Sequence, residues 1–189
     1  IGANSNGSTG TTAQGGGMLN VGVSPRILNC QFKDNFARFR GGGTLNVNGQ
    51  PIFINCVWTQ NSAQNGGAIS GFGNVNQTFI SCTIEGNSAG NGSGGIFNDQ
   101  QTQTTLTNCI IWNNRVGGQI GTANANIANT NNVSSFSATY SLLQGRNPAG
   151  TGNLDGTNAS NNPKFVQERD FSDGSVVSDL RLQSCSSAL

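Results

Sequence analysis

The sequence predicts an all-β protein, folded as a right-handed, single-stranded parallel β-helix of about five to six coils with an irregular C-terminal cap. Three observations lead to this fold class: a repeat of about 26 residues, short segments in which apolar and polar residues alternate, and turns rich in Gly. The chain has 189 residues, of which 28 are Gly and only 9% are charged. This length is sufficient for one domain with a buried core.

A cysteine marks each repeat. Cys30, Cys56, Cys82 and Cys109 follow one another at intervals of 26, 26 and 27 residues. Five residues after each cysteine stands an asparagine, at Asn35, Asn61, Asn87 and Asn114. A glycine pair comes next, at Gly42-Gly43, Gly66-Gly67, Gly94-Gly95 and Gly117-Gly118. A fixed period of this length predicts a solenoid in which each repeat forms one coil.

The alternation around each cysteine has the period of a β-strand. It predicts that the residues two before, at and two after each cysteine face inward and stack on the next coil, about 4.8 Å away. The predicted rungs are Leu28, Cys30 and Phe32; Ile54, Cys56 and Trp58; Ile80, Cys82 and Ile84; and Cys109 with Ile111. Thr107 is predicted to break this apolar column.

The repeated cysteines and asparagines are the predicted structural ladder. The asparagines are interpreted as left-handed turn residues whose amides pair from coil to coil, and the glycine pairs as turns that need a positive φ. The spacing of the cysteines and the lack of His argue against zinc. The Cβ atoms of cysteines in neighbouring rungs are expected about 4.8 Å apart, which is too wide for a disulfide. We therefore expect free, buried thiols. The pairing of Cys185, which lies outside the repeat, stays open.

The low net charge argues against two classes of partner, nucleic acids and anionic membranes. A net charge of +1 provides no basic surface for nucleic acid or for an anionic membrane. No apolar run approaches 18 residues, so the chain is not expected to span a membrane. The sequence contains no His, which removes the commonest general base and the commonest metal ligand.

No catalytic, cofactor-binding or metal-ligating residue is predicted in the repeats. Their acids, Asp34, Glu85 and Asp99, are expected on different faces or coils, so they do not form the carboxylate pair of a glycosidase. The tail acids Asp170 and Asp173 lack the dense pattern of a calcium loop, and Ca²⁺ stays open as a cofactor. A separate basic cluster includes Arg38 and Arg40, which are the candidate glycan contact or, alternatively, a solvated edge.

The chain divides at about residue 122. Residues 1–122 are predicted to form the coils, and residues 123–189 a degraded last coil and a loop-rich cap. In this second part, residues 123–135 are interpreted as a loop or a degraded coil and residues 136–143 as one more strand. An open solenoid end needs such an atypical segment to close it. We expect the chain to be a piece of a larger protein.

The repeat around Asn55 to Ile69 resembles the parallel β-helix repeats of large bacterial surface proteins. The segments Phe32-x-x-Asn35, from the preceding repeat, and Gly66-Gly67-Ala68-Ile69 are similar to two motifs of chlamydial polymorphic outer-membrane proteins, which are adhesins. The tail resembles the end of choice-of-anchor Q β-helix proteins in four segments: Tyr140–Gly145, Gly152–Asp155, Asn162–Val166 and Asp179–Ser184. The sequence departs from that pattern at residues 186–189, and we expect the anchor itself to lie outside this chain.

The resemblance implies a pectate-lyase-like solenoid in a secreted or cell-surface bacterial protein. The expected function is a non-enzymatic one, as an adhesin or a structural stalk within a larger assembly, whose partners are other cell-surface proteins or glycans. The alternative is a polysaccharide-binding or polysaccharide-cleaving, lyase-like domain. That alternative is favoured if carboxylates from further coils complete a site.

Overall fold

The computed structural model describes residues 14–172 and 178–188, and these residues are almost entirely β. The strands are β1 (Met18–Val21), β2 (Arg26–Leu28), β3 (Gln31–Lys33), β4 (Phe36–Arg40), β5 (Thr44–Gly49), β6 (Ile52–Ile54), β7 (Val57–Thr59), β8 (Ser62–Asn65), β9 (Ile69–Ile80), β10 (Thr83–Glu85), β11 (Ser88–Asn91), β12 (Ile96–Asp99), β13 (Gln103–Thr107), β14 (Ile110–Trp112), β15 (Arg115–Val116), β16 (Gln119–Ile120), β17 (Ile127–Asn129), β18 (Ser135–Thr139), β19 (Leu142–Leu143), β20 (Phe165–Gln167) and β21 (Asp179–Leu182). One helical turn, α1, covers Ala123–Asn126, and a 3-10 turn covers Ala159–Asn161.

The strands stack as parallel sheets on the sides of a β-helix. Sheet 1 contains β2, β6, the second half of β9, β13 and β18, and sheet 2 contains β3, β7, β10, β14 and β19. Sheet 3 contains β4, β8, β11 and β15, with β16 antiparallel beside β15, and sheet 4 contains β1, β5, the first half of β9, β12 and β17. The parallel β-helix is therefore confirmed, with about four turns. The expected five to six coils exceed this number.

The prediction that the residue two positions before each cysteine faces inward was wrong. Leu28 is 47% exposed, whereas its neighbour Ile27 is buried. In every coil the inward residue stands three positions before the cysteine: Ile27, Phe53, Phe79 and Leu106. Leu106 also continues the apolar column that Thr107 was predicted to break. Between β2 and β3, Asn29 has a positive φ of 54°. This left-handed residue turns the chain, so the alternation of inward and outward side chains does not continue from one strand to the next.

Aromatic rings fill the middle of the core. The ring of Trp58 stacks on Phe32 with centroids 5.0 Å apart, and Phe53 stacks on Phe79 at 5.1 Å. Trp58 is fully buried, and its indole nitrogen donates a hydrogen bond to the hydroxyl of Thr44 at 2.9 Å. This bond satisfies the polar atom of the largest side chain in the core.

The glycine pair at Gly42-Gly43 has a role other than the one expected. Neither residue has a positive φ, which falls instead on Gly41 at 63°, whereas Gly66, Gly117 and Gly118 of the other pairs do have the expected positive φ. A Cβ on Gly43 would lie 2.6 Å from a ring carbon of Trp58, and one on Gly42 would collide with the backbone of the next coil. The pair is therefore required by the close approach of neighbouring coils.

Residues 123–143 complete the last coil. Thr122 caps α1 by accepting a hydrogen bond from the backbone of Ala125, and β17 then pairs with β12. The predicted strand over residues 136–143 is in fact two strands, β18 and β19, separated by Tyr140 and Ser141. The turn repeats the one that precedes Cys56, since Tyr140 has a φ of 50° and Asn55 one of 51°.

The C-terminal segment both closes the end of the helix and covers one side. Leu154 forms a bridge with Leu142 and extends sheet 2 beyond the last coil. The chain then returns along the outer face of sheet 2 as the antiparallel pair β20 and β21. Phe165 packs there against Trp112 and Leu142. The predicted cap is therefore also a lateral cover, because outward side chains of sheet 2 provide a second apolar surface.

Within residues 14–172 and 178–188, no helix has the length and apolar character that crossing a bilayer requires.

Candidate functional site

The cysteine column runs through the core, except at its first member. Cys56, Cys82 and Cys109 are buried, but Cys30 is exposed, which corrects the expectation for that residue. Each thiol donates a hydrogen bond to the carbonyl two residues before it, at 3.3 Å for Cys56. All five cysteines, Cys185 included, are free.

The column keeps its central thiols protonated. A contact with the Cys82 sulfur, together with burial, raises the pKa of Cys56 well above its usual range. A contact with Cys109 and burial raise the pKa of Cys82 to about 12. The thiolate is the reactive form of cysteine, so Cys56 and Cys82 are packing groups at neutral pH.

The asparagine ladder is a continuous chain of amide hydrogen bonds inside the helix. The side-chain nitrogen of each asparagine donates to the side-chain oxygen of the next, at 2.9 Å from Asn35 to Asn61, from Asn61 to Asn87 and from Asn87 to Asn114. Asn126 of α1 extends the ladder at 2.8 Å. These asparagines were expected to have a left-handed backbone conformation, but they do not. The residue before each of them has it instead; Asp34, for example, has a φ of 55°.

The two candidate glycan-contacting arginines differ in their surroundings. Arg38 is exposed and lies over the ring of Phe39 at 5.5 Å. Arg40 reaches across two coils to Asp99, with 2.8 Å between nitrogen and oxygen, and lies 4.6 Å from the ring centroid of Phe72. The charge of Arg40 is thus compensated within the protein, while that of Arg38 faces solvent.

Glu85 is the most unusual charged residue of the coils, because it is fully buried beneath the C-terminal segment. One carboxylate oxygen accepts hydrogen bonds from the side chain of Asn113 at 3.0 Å and from the backbone N–H of Arg169 at 2.9 Å. The other accepts from the hydroxyls of Ser178 at 2.6 Å and Thr59 at 3.3 Å. Four donors compensate the burial of this carboxylate and tie the returning segment to sheet 2.

A second carboxyl group, that of Glu168, lies close to Glu85. Burial and the negative charge of Glu85 raise the pKa of Glu168 above its usual value. The guanidinium of Arg169 donates to the carbonyl of Gly86 at 2.7 Å and lies over Phe171 at 4.8 Å. The sequence did not reveal this pair of carboxyl groups, because 83 residues separate them and only the return of the chain joins them.

Of the other two acids of the coils, Asp34 lies near Arg169, whereas Asp99 does not join this group. Asp99 is paired with Arg40, on another side of the helix. The described residues contain no cluster of three or more His, Cys, Asp or Glu suited to a metal ion. Of the two tail acids considered for Ca²⁺, Asp170 accepts from the backbone of Ser172 at 2.7 Å, and Asp173 lies outside the described residues.

A cleft of about 400 Å³ opens between the coils and the C-terminal loops. Its wall follows the turns between sheets 1 and 2, and Tyr140 stands at its edge with 61% of its surface exposed. The cleft is lined by Ser81, Cys82, Thr83, Asn108, Cys109, Ile110, Tyr140, Ser141, Leu142, Gly152, Leu154, Ser187 and Ala188. None of these residues carries a charge.

Comparison with known proteins found no match among family models, curated proteins or solved structures.

Proposed function

We propose that this chain is a non-enzymatic β-helix module of a secreted or cell-surface protein, where it acts as an adhesin or a structural stalk. The surface location rests on the resemblance of the repeats and the tail to bacterial surface proteins, including those of the choice-of-anchor Q type. Other surface proteins and glycans are the proposed partners within a larger assembly.

The buried asparagine ladder is the observation that carries the proposal. From Asn61 onward, each amide oxygen of the ladder also accepts a backbone N–H of the preceding asparagine in the ladder; at Asn61 the backbone of Asn35 donates at 3.1 Å. The side-chain nitrogen of Asn61 donates in addition to the carbonyl of Phe32 at 2.9 Å. Such bonds fix the register between coils, because a slip of one residue would leave buried amides unpaired. A stack held in this way supports a rigid body with long lateral faces.

The test presents the protein with acidic and neutral polysaccharides and with bacterial and host cell surfaces. Retained protein and newly formed chain ends are measured in the same samples, with excess Ca²⁺ and then with chelator. Binding without new chain ends would support an adhesin. Calcium-dependent cleavage would overturn the non-enzymatic assignment, whereas neither binding nor cleavage would favour the stalk.

A polysaccharide-cleaving domain is the second candidate, and the pair of Glu85 and Glu168 favours it. One carboxyl group with a raised pKa beside one that accepts four hydrogen bonds resembles the acid and base pairs of glycosidases. Against this function stands the complete burial of Glu85. Loss of chain-end formation in Glu168→Gln, with polysaccharide binding retained, would favour the enzyme.

A further inference from the structure

An outer row of residues follows the turns between sheets 1 and 2, separate from the buried asparagine ladder. One member comes from each coil, directly before the cysteine position: Asn29, Asn55, Ser81, Asn108 and Tyr140. All five are exposed and all have a positive φ, from 50° to 54°. Hydrogen bonds join two neighbouring pairs of this outer row, from Asn55 to Asn29 at 2.8 Å and from Asn108 to Ser81 at 3.0 Å.

Tyr140 is the exception in the outer row. Asn is among the few residues that tolerate the left-handed conformation, whereas a bulky aromatic residue is strained in it. Strain of this kind persists where the surrounding structure enforces it, and it is concentrated at functional sites. An aromatic ring in a position where Asn would be easier to accommodate therefore points to a use for the ring.

The C-terminal loop holds this ring in place. The backbone N–H of Tyr140 donates to the carbonyl of Thr151 at 2.9 Å. The ring lies directly on Gly152, where any Cβ would collide with it. Next to it, the backbone of Ser141 donates to the side chain of Asn153 at 3.0 Å. The ring is thus fixed at one edge while most of its surface stays open to solvent.

The cleft beside Tyr140 has the size and the chemistry of a site for a neutral polar ligand. Its volume of about 400 Å³ lies within the range of small-ligand pockets. Its described lining contains no Asp, Glu, Lys or Arg, so no charged group of a ligand would find a countercharge there. The amide of Asn108 and the hydroxyls of Ser81 and Ser187 provide donors and acceptors.

We infer that this cleft binds a segment of a neutral glycan, with the ring of Tyr140 as the platform for a sugar ring. The C–H face of a pyranose is apolar and packs on an aromatic face, while its hydroxyls need short neutral partners. The hydroxyl of Ser81 and the amide of Asn108, the two members of the outer row that line the cleft together with Tyr140, are such partners. This inference rests on the proposed function, because it names the ligand class of the adhesive module.

The test uses Tyr140 as its own reporter, because it is the only tyrosine in the chain. Protein labelled with 3-fluorotyrosine has one ring signal in a ¹⁹F NMR spectrum. It is titrated with neutral hexasaccharides of glucose, xylose and mannose, and with hexagalacturonate as the charged comparison. We expect a saturable shift of the signal with at least one neutral hexasaccharide and none with hexagalacturonate.

Tyr140→Asn is the matched variant, because Asn is the residue at three of the four other positions of the outer row. We expect it to melt no lower than the parent protein, since Asn accepts the left-handed conformation. Its affinity for the neutral hexasaccharide, measured by isothermal titration calorimetry in both proteins because the variant has no fluorinated residue, should fall by about tenfold or more. Leu28→Ser, which changes an exposed apolar residue at the far end of the helix, should bind like the parent.

The outcomes separate this inference from the proposed function. Equal affinity in Tyr140→Asn and the parent, or binding without a shift of the fluorine signal, would overturn the site and leave the adhesin intact. Lack of binding to every neutral hexasaccharide would also overturn the site. The adhesin itself would then be judged by retention on cell surfaces.

Discussion

The coils and the C-terminal segment bury their polar groups in two different ways. The coils bury neutral amides that repeat once per turn, so that each asparagine of the ladder pairs with the same atom one coil further. The C-terminal segment instead covers a single charged side chain, Glu85, and satisfies it with donors far apart in the sequence. Repetition makes the coils one cooperative unit, while the returning segment is held by the hydrogen bonds to Glu85 and a small apolar cluster, and it can be released by itself.

The largest expected effect tests the aromatic core of the coils. Trp58→Ala removes a fully buried ring that stacks on Phe32, and it leaves the hydroxyl of Thr44 without its donor. We expect the free energy of unfolding to fall by about 3–5 kcal/mol, measured by urea denaturation. Leu28→Ala, at an exposed position, should change it by less than about 0.5 kcal/mol. An unchanged denaturation curve for Trp58→Ala would contradict the inward position of the ring.

The next effect tests the ladder itself. Asn61→Ala removes the acceptor of Asn35 and a donor to Asn87 within the core. Buried groups left without a partner are costly, so we expect a loss of about 2–3 kcal/mol in the free energy of unfolding. Asn76→Ala, at an exposed position of β9, serves as control and should lose less than about 0.5 kcal/mol. Similar losses in the two variants would show that the ladder contributes little.

A smaller effect is expected where the C-terminal segment docks. Glu85→Gln replaces a carboxylate that accepts four hydrogen bonds by an amide with one acceptor oxygen. We expect docking to weaken by about 1–3 kcal/mol, with faster hydrogen exchange in β20 and β21 and unchanged exchange in the coils. Trp112, which the segment covers, should then emit at longer wavelength.

Asp170→Asn is the control for this variant. Asp170 is an exposed acid of the same segment, and it accepts a hydrogen bond from the backbone of Ser172 within that segment. Its exchange rates in β20 and β21 should equal those of the parent. If Glu85→Gln instead unfolds the coils together with the C-terminal segment, the two regions are one cooperative unit, and the segment is not released by itself.

The smallest effect is a dependence of docking on pH. Burial and the charge of Glu85 raise the pKa of Glu168, so the docked state favours the neutral form of Glu168. This contribution is fully present below the ordinary glutamate value of 4.5 and is lost as pH rises through the raised pKa. Arg169, Arg115 and Asp34 are the other charged groups nearby.

We therefore expect hydrogen exchange in β20 and β21 to slow as pH falls from about 7.5 to about 5, after correction for intrinsic exchange rates. Glu168→Gln should remove this dependence and dock as firmly at neutral pH as the parent does in acid. Equal slopes in the two proteins would mean that Glu168 does not sense the docked state.

The sequence supported the prediction of the coils but not of the exact inward face. The repeat of Cys56, Cys82 and Cys109 predicted the stacking because identical neighbours in successive coils need the same surroundings. The choice of Leu28 over Ile27 failed because a left-handed residue stands between two short strands. Period-2 reasoning holds only along a continuous strand, and Asn at such a corner is the local signal that could have shown the break.

The candidate sites were less predictable than the coils. The neutral lining of the cleft and the meeting of Glu85 with Glu168 both depend on where the chain returns, which has no period. The outer row was visible as the residue before each cysteine, but its exposure was not. In the sequence, Tyr140 belongs to a tail motif. Only the positive φ that it shares with Asn29, Asn55, Ser81 and Asn108 places it in the outer row.

By itself, the sequence determined the solenoid, its period and the pairing of like residues between coils, because these follow from local alternation and repeated spacing. Only the tertiary structure decided the course of the C-terminal segment over sheet 2, the burial of Glu85 and the cleft beside Tyr140. Those features depend on contacts between residues far apart in the chain, and no local preference encodes the surface on which an irregular segment will pack.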